Sequence, residues 1–431
     1  MADVCPIRGV RYNSEKTSDL AAVICPPYDI ISDAGQKALY GRSPYNFVRI
    51  EYGEICAGDS ADDNRYTRAG AYLQEWLSQG VLTQDDNPAF YVHDHYFTYQ
   101  GKEYCRRGLA CRVRLEEWER GVVRPHEKII AAHKGDRMRL LETLGANTSP
   151  VMAMYQDLSG EIARILAGIA TGAPIAVSSS LEGERHELFS TSDLGQIERL
   201  QRAFADLSLY IADGHHRYES ALAYLREQAA SHPDVSAEAP YNFVLMTLMD
   251  TDDSGLLILP THRLLCGLSP ARLEALEAGL LSFFDIQEVS FGASDVWAQV
   301  DALKGGRRLV LAGPGQALRI LNLRDLEAAA CLMPTCHTDL YRKLDVSLLD
   351  HVVLEKILGL KADDEATIAF NYDRNEALRM VRDGEYQLAF IMQPVRPETI
   401  KNIADARDRM PRKSTYFYPK LPSGLLVNRV A

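Results

Sequence analysis

The 431-residue sequence lacks several signals that would assign it to a class of protein at once. No stretch approaches the roughly 20 consecutive apolar residues of a membrane-spanning helix, and the first residues contain no apolar signal region. We therefore expect a cytoplasmic protein with no membrane partner. The chain also has no Gly-x-x-x-x-Gly-Lys-Ser/Thr loop, and no Gly-x-Gly-x-x-Gly turn follows its first strand. These absences argue against a P-loop or a Rossmann nucleotide site.

Paired cysteines and a surplus of positive charge are also missing. The eight cysteines include no Cys-x-x-Cys pair, which argues against a zinc frame and predicts reduced thiols. The 59 acidic residues outnumber the 47 Lys and Arg residues, so the net charge is −12. Because nucleic-acid backbones require dense positive charge, this balance argues against a nucleic acid as partner. Nothing in the composition indicates an oligomeric state.

Helical and strand patterns alternate along the whole chain, which predicts a mixed α+β fold. A chain of this length exceeds one ordinary core, so we expect more than one lobe. The pattern of predicted helices and strands changes near residue 265. We predict two domains, 1–265 and 266–431, of which the second is an α+β lobe. This lobe ends in a Pro-rich C-terminal strap that can return to the site of the first domain.

Local patterns predict individual elements around the candidate motifs. Strands are expected over 89–99 and 104–118, joined by a tight turn. A further strand is expected over 46–51. A strand over 207–212 is followed closely by a helix over 216–230, so the residues between them form a strand-to-helix turn.

The most informative motif, LYIADGHHR, occupies this turn. A helix N-terminus carries unpaired N–H groups and a partial positive charge, which suits an anion. Gly214 permits a sharp turn or a close approach to a ligand, and Arg217 can bind a phosphate through two donors. We therefore predict that Gly214, His215, His216 and Arg217 bind phosphate. The alternative is an ordinary helix start with Asp213 as its N-cap and surface histidines.

A second segment, VVRPHEKIIAAHKGDRMRLLETL, mixes cations with carboxylates before a helix. We interpret it as a polyphosphate channel in which Lys134 and Arg137 offset phosphate charge. Glu127 or His126 would be the base that deprotonates a hydroxyl. Asp213, in the first motif, could hold a metal or orient a histidine. The alternative is a solvated loop whose charges pair with one another.

Shorter segments supply further candidates for substrate or phosphate binding, each with a structural alternative as a turn, a strand end or a packing strap. The candidates are Tyr28 and Asp29 after two prolines, Asn46 and Arg49, His262 and Arg263 at a strand end, and Lys413, Ser414, Thr415, Tyr416 and Lys420 in the tail.

Two histidines of one predicted strand are a candidate metal-binding pair. His93 and His95 alternate along a predicted strand and therefore share one of its faces. No third ligand lies near them in the sequence, so we favour a polar strand face.

Eight motifs occur in an order that resembles the bacterial and archaeal domain-of-unknown-function family numbered 1015, from about residue 5 to residue 428. They are PPYDIIS, YNFVRIE, RPHEK, KGDRMRLL, ANTSPV, IADGHHRYESAL, LPTHRLL and MPRKSTYFYPKL. The DGHHR turn alone is similar to the phosphate-binding turn of the ParB/sulfiredoxin superfamily, which includes free-serine kinases. This second resemblance implies a ParB/sulfiredoxin-like core with large insertions. It also implies that Gly214, His215, His216 and Arg217 bind nucleotide phosphates, from ATP or ADP with Mg²⁺, and that a carboxylate acts as base, for which Glu127 is the candidate. Asp213 or Glu127 would then hold the Mg²⁺ ion, and the other carboxylate, or His126, would deprotonate the hydroxyl.

The leading hypothesis is nucleotide-dependent phosphoryl transfer to a small hydroxylated metabolite, free serine by analogy, which would place the protein in serine metabolism. One alternative is a phosphoserine phosphatase or another metal-dependent phosphohydrolase. A third hypothesis is a ParB-like nucleotide-binding regulator without turnover. It would need a helix-turn-helix and a basic face, and the sequence shows neither. A fourth is a binding protein that senses a phosphorylated metabolite.

Overall fold

The computed structural model describes residues 2–17, 19–127, 134–179, 183–232, 236–290, 296–302, 308–313, 317–362 and 364–430. The chain forms two compact units. The first comprises residues 1–125, 129–257 and 419–431, and the second comprises residues 126–128 and 258–418. Both units contain helices and sheets, so the prediction of a mixed α+β fold is confirmed.

One large sheet organises the first unit, and nine of the described strands belong to it. Eight of these strands lie side by side in the order Val123–Pro125, Leu209–Asp213, Val151–Tyr155, Phe243–Asp250, Lys102–Arg114, Phe90–Tyr99, Glu184–Thr191 and Ala176–Val177. The ninth, Val4–Cys5, pairs with Lys102–Arg114. Leu209–Asp213 runs parallel to Val123–Pro125 and antiparallel to Val151–Tyr155. Phe90–Tyr99 and Lys102–Arg114 form the hairpin that the sequence predicts.

Both faces of this sheet are covered. Successive side chains of a strand point to opposite faces, and the buried residues of the central strands divide accordingly. Phe90 and Val92 belong to one apolar cluster, which also contains Phe204. Tyr91, between them, belongs to a second cluster with Trp76. The sheet is therefore the central layer of the first unit, with apolar packing on each side.

The other described elements of the first unit are helices and two small sheets. The helices are Leu20–Val23, Asp33–Arg42, Val48–Glu51, Arg65–Ser78, Lys134–Leu144, Glu161–Ile169, Leu194–Ala205 and His215–Ser231, with short 3-10 turns at Tyr28–Ile30, Trp118–Arg120 and Pro240–Asn242. The small sheets pair Val10–Tyr12 with Leu82–Gln84 and Ala146–Asn147 with Asn428–Arg429.

The second unit is built on an antiparallel sheet. Its described strands follow the order Phe284–Ser290, Ala317–Leu323, Arg308–Ala312, Leu388–Ile391, His262–Leu265 and Ile368–Asn371. A two-stranded sheet pairs Leu257–Leu259 with Tyr416–Tyr418. The helices are Pro270–Phe283, Val296–Ala302, Leu326–Ala330, Asp339–Arg342, Asp345–Leu348, the π-helical Leu349–Ile357, Arg374–Arg382 and Pro397–Asp405. Among the residues that the structure describes, no helix combines the length and the apolar composition needed to cross a bilayer.

The predicted strand over 46–51 is wrong, because Val48–Glu51 forms a single helical turn. The Asn46 side chain explains the difference. Its amide nitrogen donates to the backbone oxygens of Ala22 and Ile24, and its amide oxygen accepts from the Val48 N–H group. These bonds fix a turn where the apolar pattern alone indicates an extended segment.

Candidate functional site

The LYIADGHHR motif forms a strand, a one-residue turn and a helix in the first unit. Leu209–Asp213 is followed by Gly214, and the helix His215–Ser231 begins directly after it. Gly214 has a φ angle of 88°, in the left-handed region, and a Cβ atom built there would lie 2.8 Å from Arg217 Nε. Glycine avoids both the backbone strain and this close contact. The residue that precedes the helix is therefore Gly214, which offers no side-chain cap, and not a capping Asp213.

Two cations hold the Asp213 carboxylate. Arg217 Nη2 donates to Asp213 Oδ2 at 2.6 Å, and Lys420 Nζ donates to Oδ1. Burial alone would raise the pKa of Asp213, but the charges of Lys420 and Arg217 outweigh it and hold the pKa well below its usual range. Burial would lower the pKa of Lys420, yet the charges of Asp213 and Asp29 raise it. Asp213 and Lys420 are therefore both charged at neutral pH.

A second buried carboxylate, Glu51, lies in the same unit. Its oxygens accept hydrogen bonds from Thr148 Oγ1 at 2.5 Å, from Ser149 Oγ at 3.2 Å and from Arg137 Nη1 at 3.3 Å. Arg137 also pairs with Asp136 at 2.5 Å. With Glu51 only 1% exposed, these bonds replace the water that the carboxylate loses on burial.

Tyr28 connects the two groups of charges. The Arg137 guanidinium carbon lies 3.9 Å from the centre of the Tyr28 ring, a cation–π contact. Burial raises the pKa of Tyr28 to about 12, and the charges of Arg137 and Arg217 both act against that rise. Arg137 and Arg217 also line the same cavity of about 30 Å³, together with Thr148 and Ser149.

The first unit thus brings together several residues that the sequence names as candidates. The group consists of Tyr28, Asp29, Arg137, Asp213, Gly214 and Arg217, with Lys420 from the tail. Sequence reasoning missed Glu51, Thr148 and Ser149 as members. The motif ANTSPV contains both hydroxyl groups, and the charge of Glu51 in the apolar segment FVRIE was the available signal for the carboxylate.

The donor set at Asp213 does not fit a directly bound Mg²⁺ ion. Both carboxylate oxygens face cationic donors, one from Lys420 and one from Arg217. A divalent ion at these oxygens would have to displace two positive charges and would then be repelled by them.

Other predicted site residues form a network inside the second unit. Glu127 Oε1 accepts from the Lys413 N–H group at 2.7 Å, and His126 Nε2 lies 3.1 Å from Thr415 Oγ1. Arg263 is buried and donates to the backbone oxygens of Thr261, Lys413 and Arg412 at 2.6, 2.9 and 3.2 Å. Its guanidinium therefore anchors the chain at residues 412–413, where Lys413 has a left-handed φ of 54°.

His262 and Ser414 also bond to backbone groups of the second unit. His262 Nδ1 accepts from the Met392 N–H group at 3.0 Å, and burial lowers the pKa of His262 to about 4. Ser414 Oγ donates to the Pro411 oxygen at 2.6 Å. Both side chains thus stabilise the local fold of that unit.

The remaining candidates have varied surroundings in the first unit. Asn46 is fully buried, and its amide bonds only to backbone groups. Arg49 Nη2 donates to the Tyr40 oxygen at 3.0 Å, and its guanidinium lies over the Tyr40 ring. His215 and His216 are half-buried in the first turn of their helix, and the charge of His215 contributes to the low pKa of Asp213. The Lys134 side chain lies outside the described residues.

The solved structures that match this chain in a structural comparison have low sequence identity to it. A conserved hypothetical protein from Pyrococcus furiosus is 14% identical, with a TM-score of 0.36 over 73% of this chain and 93% of that one. A free serine kinase in complex with AMP is 13% identical, with a TM-score of 0.38 over 71% and 86%. SbnI from Staphylococcus aureus is 8% identical, with a TM-score of 0.35 over 73% and 85%.

A comparison with curated proteins finds no match. The model of one family, described as a protein of unknown function (DUF1015), matches residues 4–347. This range includes the LYIADGHHR motif and most of the ordered motifs that carry the resemblance. The chain therefore belongs to the DUF1015 family, as its ordered motifs predict.

Proposed function

We propose that the first unit binds the phosphate groups of a nucleotide at the turn that contains Gly214, His215, His216 and Arg217, and that the protein transfers a phosphoryl group to a small hydroxylated metabolite. The observation that carries this proposal is the helix N-terminus after Gly214, with Arg217 and Lys420 held beside it by Asp213. A phosphate at this point would accept hydrogen bonds from the first N–H groups of the helix. It would also be favoured by the positive end of the helix dipole.

Asp213 keeps both cations in position before a ligand arrives. A fixed Lys or Arg side chain loses up to about 2 kcal/mol of rotamer entropy, and here the ion pairs offset that loss in the free protein. Arg217 Nη1 also donates to the Pro150 oxygen, which fixes the plane of the guanidinium. A guanidinium has five N–H donors, so it can hold Asp213 and a phosphate together.

Tyr28 and Asp29 are the proposed contacts of the metabolite. Tyr28 presents a neutral hydroxyl group at neutral pH, because burial raises its pKa to about 12. Arg137, stacked on the Tyr28 ring, is the third proposed cation for phosphate charge. Positioned cations are the principal requirement of phosphoryl transfer, since the protein does little covalent work in that reaction.

Glu127 is the proposed general base, with His126 as the alternative. Glu127 uses Oε1 to accept from the Lys413 N–H group, which fixes the direction of the carboxylate. A carboxylate whose direction is fixed can take a proton from a hydroxyl group.

The binding step is tested by calorimetric titration of the full chain with ADP and with AMP. We expect Arg217→Ala to weaken binding at least 100-fold. Arg202→Ala is the matched control, because Arg202 is exposed and its Nε donates to the backbone oxygen of Glu198 in its own helix. Equal affinity of the Arg217→Ala and Arg202→Ala proteins would refute the assignment of the phosphate turn.

The chemical step is tested by phosphorus NMR on two mixtures, ATP or ADP with serine and phosphoserine with ADP, each with Mg²⁺. A new phosphomonoester signal in the first mixture would support the kinase direction. Its loss in Glu127→Gln with nucleotide binding retained would support the role of Glu127. Consumption of phosphoserine in the second mixture alone would favour the phosphatase. Unchanged spectra despite nucleotide binding would replace phosphoryl transfer with a regulator or sensor.

A further inference from the structure

Three histidines and a glutamate share one face of the large sheet in the first unit. His93 and His95 alternate along one strand, and His186 lies directly opposite His95 on the neighbouring strand. Glu184 is two residues from His186 and so points to the same face. The sequence shows only the first pair, because the other two residues are about 90 positions away along the chain.

The side chains of this group are close enough to share an ion. His95 Nε2 lies 2.7 Å from Glu184 Oε2, and the His95 and His186 ring centres are 4.2 Å apart. One ligand atom from each of His95, Glu184 and His186 falls within 4.8 Å of the others. His93 Nε2 lies 3.0 Å from His186 Nδ1 and so can orient that ring.

A bound ion requires a small opening of the group. Bonds of about 2.1 Å to a tetrahedral ion place neighbouring ligand atoms about 3.4 Å apart. The His95–Glu184 contact of 2.7 Å must therefore widen by about 0.7 Å. The Glu184 side chain is 34% exposed, so it can move toward solvent, while His95 is held in the sheet.

Arg106, opposite His95 on the next strand, determines which nitrogen of His95 carries the proton. Its guanidinium can only donate, and Nη2 lies 3.1 Å from His95 Nδ1. The ring proton is therefore on Nε2, from which it is donated to Glu184. An ion bound at Nε2 replaces this proton, and the positive charge of Arg106 then stabilises the negative ring that remains.

We propose that His95, Glu184 and His186 bind a divalent transition-metal ion such as Zn²⁺, with His93 orienting His186. Two imidazoles and one carboxylate are a donor set that zinc accepts, with a fourth position left for water. His186 binds through Nε2, and its Nδ1–H donates to His93. One proton leaves His95 for each ion bound, while Glu184 and the deprotonated ring offset the two charges of the ion.

The site is tested by competition for Zn²⁺ between the full chain and a chromophoric chelator at pH 7.5. Because exposed thiols also bind zinc, Cys56, Cys331 and Cys336 are first replaced by serine. We expect one ion per chain in this background. We expect at least a 100-fold loss of affinity in Glu184→Gln, and about a 10- to 100-fold loss in His93→Ala. His232→Ala is the control, because His232 is exposed on the same unit.

X-ray absorption and calorimetry complete the test. The zinc spectrum is expected to show nitrogen and oxygen neighbours at about 2.0–2.1 Å and no sulfur at about 2.3 Å. Calorimetry in two buffers of different ionisation enthalpy is expected to show release of one proton per ion. Circular dichroism establishes that each variant is folded. A folded background protein that binds no zinc, or a Glu184→Gln protein that binds it equally well, would overturn the proposal.

Discussion

Replacing Lys420 with methionine removes the charge that faces Asp213 while it keeps an unbranched side chain. The two side chains are only 9% and 17% exposed, so water cannot fully replace the lost ammonium group. Removal of one partner from a buried ion pair costs about 3–5 kcal/mol. Because Arg217 Nη2 remains 2.6 Å from the carboxylate, we expect the lower end of this range, about 3 kcal/mol, at pH 7.

The unfolding free energy lost in Lys420→Met depends on pH, and it decreases as the pH falls below the pKa of an unfolded aspartate. A carboxyl group with a depressed pKa stabilises the fold fully above its unfolded pKa of about 3.9 and loses this contribution as the pH falls further. The charges of Lys420 and Arg217 depress the pKa of Asp213 despite its burial. The cost of Lys420→Met is therefore complete at pH 7 and shrinks below about pH 4.

The assay is chemical denaturation of the full chain in a Trp297→Phe background. Trp76 and Trp118 then report on the first unit alone. The double variant Lys420→Met/Asp213→Asn no longer contains the unpaired Asp213 carboxylate. Its loss of unfolding free energy should therefore be at least 1.5 kcal/mol smaller than the sum of the losses in the two single variants.

The control cycle uses the exposed pair Arg199–Glu161, which should show a coupling of less than about 1 kcal/mol. Strictly additive losses at Lys420 and Asp213 would refute the buried-pair reasoning.

Three further outcomes follow from other contacts. Gly214→Ala should destabilise the first unit by about 1–3 kcal/mol and weaken nucleotide binding, because the left-handed backbone and the close Arg217 side chain oppose a Cβ atom. Gly58→Ala is the control: a Cβ atom at Gly58 meets open space, so neither the denaturation nor the nucleotide titration should change. Glu51→Gln should cost about 2–4 kcal/mol of unfolding free energy in the same denaturation assay, since it removes one of the two carboxylates that face the buried Arg137. Asp350→Asn should stabilise the second unit by about 2 kcal/mol at pH 7. Burial raises the pKa of Asp350 to about 6, so the carboxyl group costs unfolding free energy as the pH rises from about 4 to 6, and the amide does not. This gain should vanish below pH 4 in calorimetric melts, and a gain that persists there would contradict the assignment.

The sequence alone was sufficient for features that depend on neighbouring residues. A run of apolar residues, then Asp-Gly, then a helical pattern predicts the strand, the turn and the helix around Gly214, and the structure confirms each of them. The hairpin of Phe90–Tyr99 and Lys102–Arg114 is predicted equally well. The segment 46–51 shows the limit of such patterns. Its apolar alternation indicates a strand, but the bonds of Asn46 to Ala22 and Ile24 favour a helical turn.

Only the tertiary structure determines which groups each charged side chain pairs with. The tail looks continuous in sequence, yet Lys413 belongs to the second unit, where its N–H group binds Glu127, and Lys420 belongs to the first, where it binds Asp213. Likewise, the register between two strands places His186 opposite His95. Local propensity determines which elements form, because it depends on a few adjacent residues. The pairing of distant charges depends on sheet register and chain path, which are determined by the packing of the whole unit.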